Sequence, residues 1–409
     1  MTVDNRPRNF MTESKVRVGV AGLGRAFILM LPGLAAHPKI KLVAAADPRE
    51  EARAQFAAAF GARTYSSVEA LCADPDIEAV YVATPHQFHA QNVITAAKHG
   101  KHVLVEKPMA LSLDECRAMI MATRQAGVQL VVGHSHSFDG PIARTREMIA
   151  GGTFGALRML TAVYFTDFLY RPRRPDELAP ESGGVLFNQA PHHVDIARLL
   201  GGGLVESVRA LTGAWDGSRL VEGAYSALLT FKGGAFATLS YSGYAHFDGD
   251  ELADGIAESG YPKDPRAYGA ARARLQRLEI PADELALKSA RLYGGPEAQE
   301  TAGSQTGERF HQHFGLLIAS CDRADLRPGP KGVTIYGDGA RLFEPVAVPE
   351  IPRSEVIDEL HAAIFAGKPP PHSGEWSLAT IEVCLAMLQS AREGQEIRLQ
   401  HQVPALAVS

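Results

Sequence analysis

Two side chains in this sequence are of a type and in a setting to move a proton near neutral pH. Lys107 stands in Glu106-Lys107-Pro108, directly after the apolar run Lys101 to Val105. A lysine partly desolvated at the mouth of a cleft has its pKa pushed down and can take or relay the proton of a reacting hydroxyl. The plainer reading is a surface lysine held by Glu106. His192 stands in Asn188-Gln189-Ala190-Pro191-His192-His193-Val194-Asp195. Pro191 suits a first helical position, which puts His192 in the first turn. Its imidazole can accept a hydroxyl proton as hydride leaves the same carbon. Asp195, three residues on, shares that helix face and either orients the ring or favours the helix start electrostatically; His193 points elsewhere.

A departing hydride needs an acceptor, and the stretch Val16 to Arg25 (VRVGVAGLGR) is built to hold one. A buried strand breaks at Gly22 and Gly24, and Arg25, Ala26 and Phe27 open an apolar helix whose first residues are expected to line the cofactor. Glycines there let the backbone approach a pyrophosphate, and the helix start offers unpaired N–H groups. Asp47 closes the next apolar run, Ile40 to Ala46, with Arg49 just beyond. An acid at that spacing accepts from a ribose 2′-hydroxyl and repels a 2′-phosphate, so the expected cofactor is NAD. The third glycine of G-x-G-x-x-G is replaced by Phe27, which touches helix packing and not phosphate contact.

These residues need a scaffold that brings them to one edge. Strand and helix patterns alternate from Val16 to Gly133, which predicts a doubly wound parallel sheet over residues 15–137, after a leader at 1–14. Gly22–Gly24, Asp47, Thr84-Pro85-His86 with His89, and Glu106–Pro108 all fall at carboxyl ends of strands, where such sheets bind ligands. From residue 138 to 409 the pattern becomes α+β. Alternating segments at Leu157–Phe165, Val205–Thr212, Tyr225–Phe231 and Ala235–Tyr241, with strands resuming at Phe314–Cys321 and Val333–Tyr336, predict a large, open, mostly antiparallel sheet. An insert over about 245–308 breaks this rhythm and reads as a lid, arm or oligomer contact. The last helix is expected to pack back on the first domain.

Composition excludes several classes. With 409 residues, a net charge of −5, 46% hydrophobic and 21% charged residues, this is a globular chain with no basic field for nucleic acid. No run is apolar and long enough to suggest a membrane partner. Four widely spaced cysteines suit a reducing cytoplasm. The pairs His134/His136 and His311/His313 invite a metal, but no carboxylate completes a ligand set, and none is expected. His134 and His136 follow the sixth strand at the cleft end, where substrate contact is expected. Arg171, Arg173 and Arg174 form either a solvated basic loop or a carboxylate-binding group.

Gly22-x-Gly24, Thr84-Pro85 with His89, and Glu106-Lys107-Pro108 resemble the Gfo/Idh/MocA oxidoreductase family, and the likeness runs through nearly the whole chain. It implies that Lys107 lies near nicotinamide and substrate and that the Thr84-Pro85 turn packs on the cofactor. The family segment G-G-x-L-x-D-x-G-x-H-x-x-D matches at Gly183, Gly184, Leu186, His192 and Asp195 and departs at Asn188 and Ala190. It assigns His192 to proton transfer and leaves Asn188 to hydrogen-bond the substrate. AGLGRAFILMLPGL, ATPHQFHAQ and VVGHSHSFD look closest to the phthalate 4,5-cis-dihydrodiol dehydrogenases of that family. This implies a small aromatic dicarboxylate cis-diol as substrate, NAD as hydride acceptor, and a homo-oligomer formed through the open sheet. A sugar or inositol dehydrogenase, an NAD-dependent glycoside hydrolase and a non-catalytic dinucleotide sensor are the alternatives.

Overall fold

A computed structural model describes residues 15–179, 183–278, 282–298 and 307–407. The leader at 1–14 and parts of the insert lie outside the described residues. The first sheet is made of short strands, mostly buried apart from the edge strand Arg63–Tyr65, as helices on both faces require. Its strands are β1 (Val16–Ala21), β2 (Ile40–Ala46), β3 (Arg63–Tyr65), β4 (Ala79–Val82), β5 (His102–Val105) and β6 (Leu130–Val132). They are parallel in the order β3-β2-β1-β4-β5-β6. The order reverses between β1 and β4, and a ligand crevice opens at such a switch point.

The second sheet contains β7 (Leu157–Phe165), β8 (Val205–Gly213), β9 (Ala224–Phe231), β10 (Phe236–Ser242), β11 (Leu316–Cys321), β12 (Ala324–Gly329), β13 (Gly332–Gly337), β14 (Arg341–Pro345) and β15 (Ile397–Arg398). Their order is β14-β13-β12-β11-β7-β10-β9-β8-β15, antiparallel except where β7 meets β10. Period-two alternation sends Leu160, Ala162, Tyr164, Ala237, Leu239 and Tyr241 into the core beneath the Ala190–Leu200 and Gly374–Glu393 helices. The opposite face carries Thr161, Thr238 and Ser240, with Leu228 and Phe236 left 43% and 40% exposed. The strands at Phe314–Cys321 and Val333–Tyr336 are found as β11 and β13, whereas β12, β14 and the two-residue β15 go beyond the strands expected, because short segments carry little periodic signal.

The two halves interlock. The Ser354–Phe365 helix places Val356, Ile357 and Leu360 in one core with Val18, Leu34 and Ile40. Gly33 has no room for a side chain, since a Cβ there would lie 2.4 Å from the Pro352 carbonyl oxygen. Val132 N donates to the His372 carbonyl at 2.9 Å, so the chain entering the Gly374–Glu393 helix lies along the free edge of β6. Within the insert, helices run over Ala270–Gln276 and Ala282–Ala290. Beyond them the Tyr293 ring packs edge-on to Phe27 at 5.1 Å, and Phe27 packs on Phe56 at 5.9 Å. The aromatic at the third-glycine position is therefore the anchor by which the insert grips the first domain.

Candidate active site

The glycine turn fits a dinucleotide. Gly22 has φ +95°, and a Cβ on it would meet the Ala83 carbonyl oxygen at 2.8 Å, so only glycine lets β1 end against β4. Gly24 caps the Arg25–Ala36 helix with no side-chain hydrogen bond, leaving the helix start open to an anion. Asp47, buried at the end of β2, accepts from Leu23 N at 2.8 Å and from Arg49 N and Nε, each at 2.9 Å. Arg49 also donates to the carbonyls of Tyr293 and Leu23, so the insert reaches the ribose-binding acid. Ala26 lies beside the turn, whereas Phe27 faces inward and serves packing, which corrects its assignment to the cofactor.

The β4 and β5 ends complete this edge. Asn92 Nδ2 donates to Thr84 Oγ1 at 3.0 Å, and Pro85 leads into a 3-10 turn that begins at His86. Burial, helped by His89 and Lys107, holds the His86 pKa well below its usual value. His89 is fully buried, with one ring nitrogen 2.9 Å from the Pro108 carbonyl and the other 2.9 Å from that of Thr84. It ties the two loops together, so its expected cofactor contact becomes a positioning role. Glu106 accepts the Tyr81 hydroxyl at 2.5 Å, and burial raises its pKa.

Lys107 Nζ donates to the carbonyl of Asn188 at 2.8 Å, which brings the amine to the start of the helix that carries His192. Burial lowers the lysine pKa against the opposing pull of Glu106 and Glu258. Burial likewise holds His192 well below its usual value, with Lys107 and His136 adding to the effect. Both groups are thus shifted toward the neutral, proton-accepting form. Asn188 acts here through its backbone; its side-chain amide donates to Gly184 O at 2.8 Å, which corrects the expected side-chain role. Asp195 does not orient His192. It accepts Trp376 Nε1 at 2.5 Å and the Ser137 hydroxyl, and Ser137 in turn meets His372. Ser135 Oγ is the neighbour of His192 Nδ1, at 3.4 Å.

His136 lies beside His192, with ring centroids 4.7 Å apart. Its Nδ1 pairs with Asp139 at 2.8 Å and its Nε2 faces Glu258 at 3.5 Å. Burial alone would lower its pKa, but the two carboxylates outweigh burial and raise it to about 9, so His136 is an imidazolium at neutral pH. His134 stacks on Phe138 and is buried, which lowers its pKa well below the usual value. The three arginines separate. Arg174 is chelated by both Asp176 oxygens at 2.8 Å, and Arg173 lies over the Phe168 ring and donates to the Phe168 carbonyl. Both are consumed within the fold, so the expected carboxylate contact narrows to Arg171. Arg171 is 41% exposed, pairs with Asp167 through Nε, and lies within electrostatic reach of Arg25 and Glu258.

Three groups were not read from sequence. Asp139 follows His136 at a helical spacing and could have been found. Glu258 comes from the aperiodic insert. Arg353, at φ +56° with Nε on Gln312, lies within electrostatic reach of Lys107, His134 and His192. His311 and His313 spend their Nε2 atoms on the carbonyls of Val346 and Ile256. Among the described residues no group of three or more His, Cys, Asp or Glu side chains is placed to hold a metal. No helix among them is long and apolar enough to cross a membrane.

Comparison with known proteins places the chain among NAD-binding oxidoreductases. Residues 16–134 match the model of the oxidoreductase family with an NAD-binding Rossmann fold, and residues 142–253 match the GFO/IDH/MocA C-terminal domain. The chain is 44% identical over 379 residues to 1-carboxy-3-chloro-3,4-dihydroxycyclohexa-1,5-diene dehydrogenase of Comamonas testosteroni, covering 92% of this chain and 95% of that one. A provisionally assigned dehydrogenase from Bordetella bronchiseptica RB50 superposes with a TM-score of 0.88 at 40% identity, covering 94% of this chain and all of that one. Levoglucosan dehydrogenase in complex with NADH and levoglucosan shares the fold, with a TM-score of 0.71 at 18% identity over 94% of this chain and 99% of that one.

Proposed function

The chain belongs to the Gfo/Idh/MocA oxidoreductase family and is an NAD-dependent oxidoreductase; on that premise we propose that it oxidises a carboxylated cyclohexadiene cis-diol, phthalate 4,5-cis-dihydrodiol, to the dihydroxyphthalate. The observation that carries this is the meeting of Lys107 and His192, both shifted toward their neutral forms, in a cleft with Arg25, Arg171, Arg353 and the His136 imidazolium. Bound NAD supplies the hydride acceptor. The amine of Lys107 or the imidazole of His192 takes the proton of the hydroxyl on the carbon that loses hydride. The enone left behind tautomerises to a catechol, and aromaticity draws the reaction forward. Arg171, together with Arg25 or Arg353, supplies the cationic wall for ring carboxylates. The name of the Comamonas relative supports a ring bearing one carboxyl and neighbouring hydroxyls.

The open face of the second sheet, with Leu228 and Phe236, is the surface through which the homo-oligomer forms, and four free cysteines suit the cytoplasm. The test is a panel of one- and two-carboxyl cis-diols, inositols and sugars, assayed with NAD and NADP by NADH absorbance at 340 nm. Turnover of the diacid diol alone or best supports the assignment. Turnover of inositol or a sugar in its place refutes it, and sugar release without net NADH indicates a glycoside hydrolase.

A further inference from the structure

The carboxylate of Glu258 is delivered to this cleft by a deliberate local structure. A tight hairpin runs from Ile256 to Pro262, closed by their bridge and by Ala257 N donating to Tyr261 O at 2.8 Å. Further contacts pin it. His313 Nε2 meets the Ile256 carbonyl at 2.8 Å, and His313 N donates to the Glu258 carbonyl at 3.4 Å. Phe310 N donates to Gly260 O at 2.8 Å, and Gly260 (φ +83°) leaves 2.4 Å between a hypothetical Cβ and the Phe310 carbonyl oxygen. Lys263 pairs with Asp248 and Asp250, and Asp250 accepts the Tyr164 hydroxyl at 2.8 Å, which fastens the base of the hairpin to β7. The tip is therefore preorganised rather than free to swing.

At that tip the Glu258 side chain is 31% exposed and its Oε1 lies 3.5 Å from His136 Nε2. Burial would raise its pKa, but His136 first, then Arg171 and Lys107 within electrostatic reach, outweigh burial and hold it down. A fixed, ionised carboxylate accepts an O–H but repels a second carboxylate. Resting on the functional reading above, we propose that Glu258 determines which edge of the ring faces the chemistry. It accepts a hydrogen bond from the diol hydroxyl that is not oxidised and turns the carboxylated edge away, toward the arginines. Among the described residues no hydrogen bond joins Glu258 to Lys107 or His192, so Glu258 acts by positioning the ring and not by taking the proton.

The proposal is tested with the NADH complex and two ligands that differ only in the diol: 4,5-dihydroxyphthalate and phthalate. Dissociation constants are measured by quenching of NADH fluorescence for wild type, Glu258→Gln and Glu258→Ala. Losing a hydrogen bond to a charged group weakens the dihydroxy ligand by about ten- to a hundredfold. Phthalate, which has no hydroxyl to offer, is expected to bind unchanged or more tightly once the charge is gone. Equal weakening of both ligands in both variants overturns the proposal, because a general structural role does just that. No change for either ligand also overturns it. A wild-type complex that binds neither ligand and oxidises no carboxylated diol removes the functional reading itself, and this inference with it.

Discussion

Replacing Asp47 by alanine should shift cofactor preference from NAD toward NADP. In the structure the Asp47 carboxylate takes four hydrogen bonds, from Leu23 N and from three Arg49 nitrogens, at 2.8 to 3.0 Å. A ribose 2′-hydroxyl must take over part of Arg49's share, so its net gain is at the low end for a charged acceptor, about 1.5 kcal/mol. Without the carboxylate, Arg49 is still held by the carbonyls of Tyr293 and Leu23, and its freed N–H groups face a 2′-phosphate with no opposing negative charge. That gain is also about 1.5 kcal/mol after discounting for the partial exposure of Arg49. Together the two terms make about 3 kcal/mol, or roughly a hundredfold change in the NADH-to-NADPH affinity ratio. Fluorescence titration with both reduced cofactors measures the ratio without any substrate. Asp47→Asn serves as control, because it keeps size and an acceptor for Leu23 N while losing the charge. A folded Asp47→Ala protein whose ratio stays within about threefold of wild type would refute the reasoning.

Other outcomes follow from the same geometry. Lys107→Met should lower kcat by about 10²- to 10⁴-fold while NADH affinity, measured by fluorescence, is retained. Arg171→Ala should raise KM for a carboxylated diol by about tenfold or more, whereas Arg174→Ala should leave KM within about twofold, because Asp176 already chelates that side chain. His136 has its folded pKa raised to about 9, so its pairing with Asp139 and Glu258 stabilises the fold fully below pH ~6.5 and is lost as pH rises through ~9. Thermal melts from pH 6 to 10 should show that decline in wild type and a flatter profile in His136→Gln. Tyr293→Ala removes a ring buried against Phe27 and should cost about 3 kcal/mol in denaturant unfolding, while the main-chain carbonyl that holds Arg49 stays in place.

The first sheet and the turn Gly22–Gly24 with Asp47 were legible because strands buried on both faces write continuous apolar runs, and a backbone pressed on backbone admits only glycine. Lys107 and His192 were legible from their places at element ends. Their partners were not. The Asn188 carbonyl that holds Lys107 carries no side-chain signature, and the pairing of Asp195 with Trp376 and Ser137 spans long gaps in the chain. The three arginines looked alike in sequence; only folding decided that Asp176 and Phe168 would claim two of them. Glu258 was hidden in a segment whose shape is set by hairpin contacts to His313 and Phe310 rather than by periodicity.

The seat of Val356, Ile357 and Leu360 beside Val18, Leu34 and Ile40 has a consequence for synthesis. When β6 leaves the ribosome, the N-terminal half still lacks the helix that seals its apolar flank. At 5–20 residues per second that helix arrives roughly ten to forty seconds later. During this interval the nascent sheet exposes greasy surface, and the halves cannot be made as separate polypeptides without leaving each one incomplete.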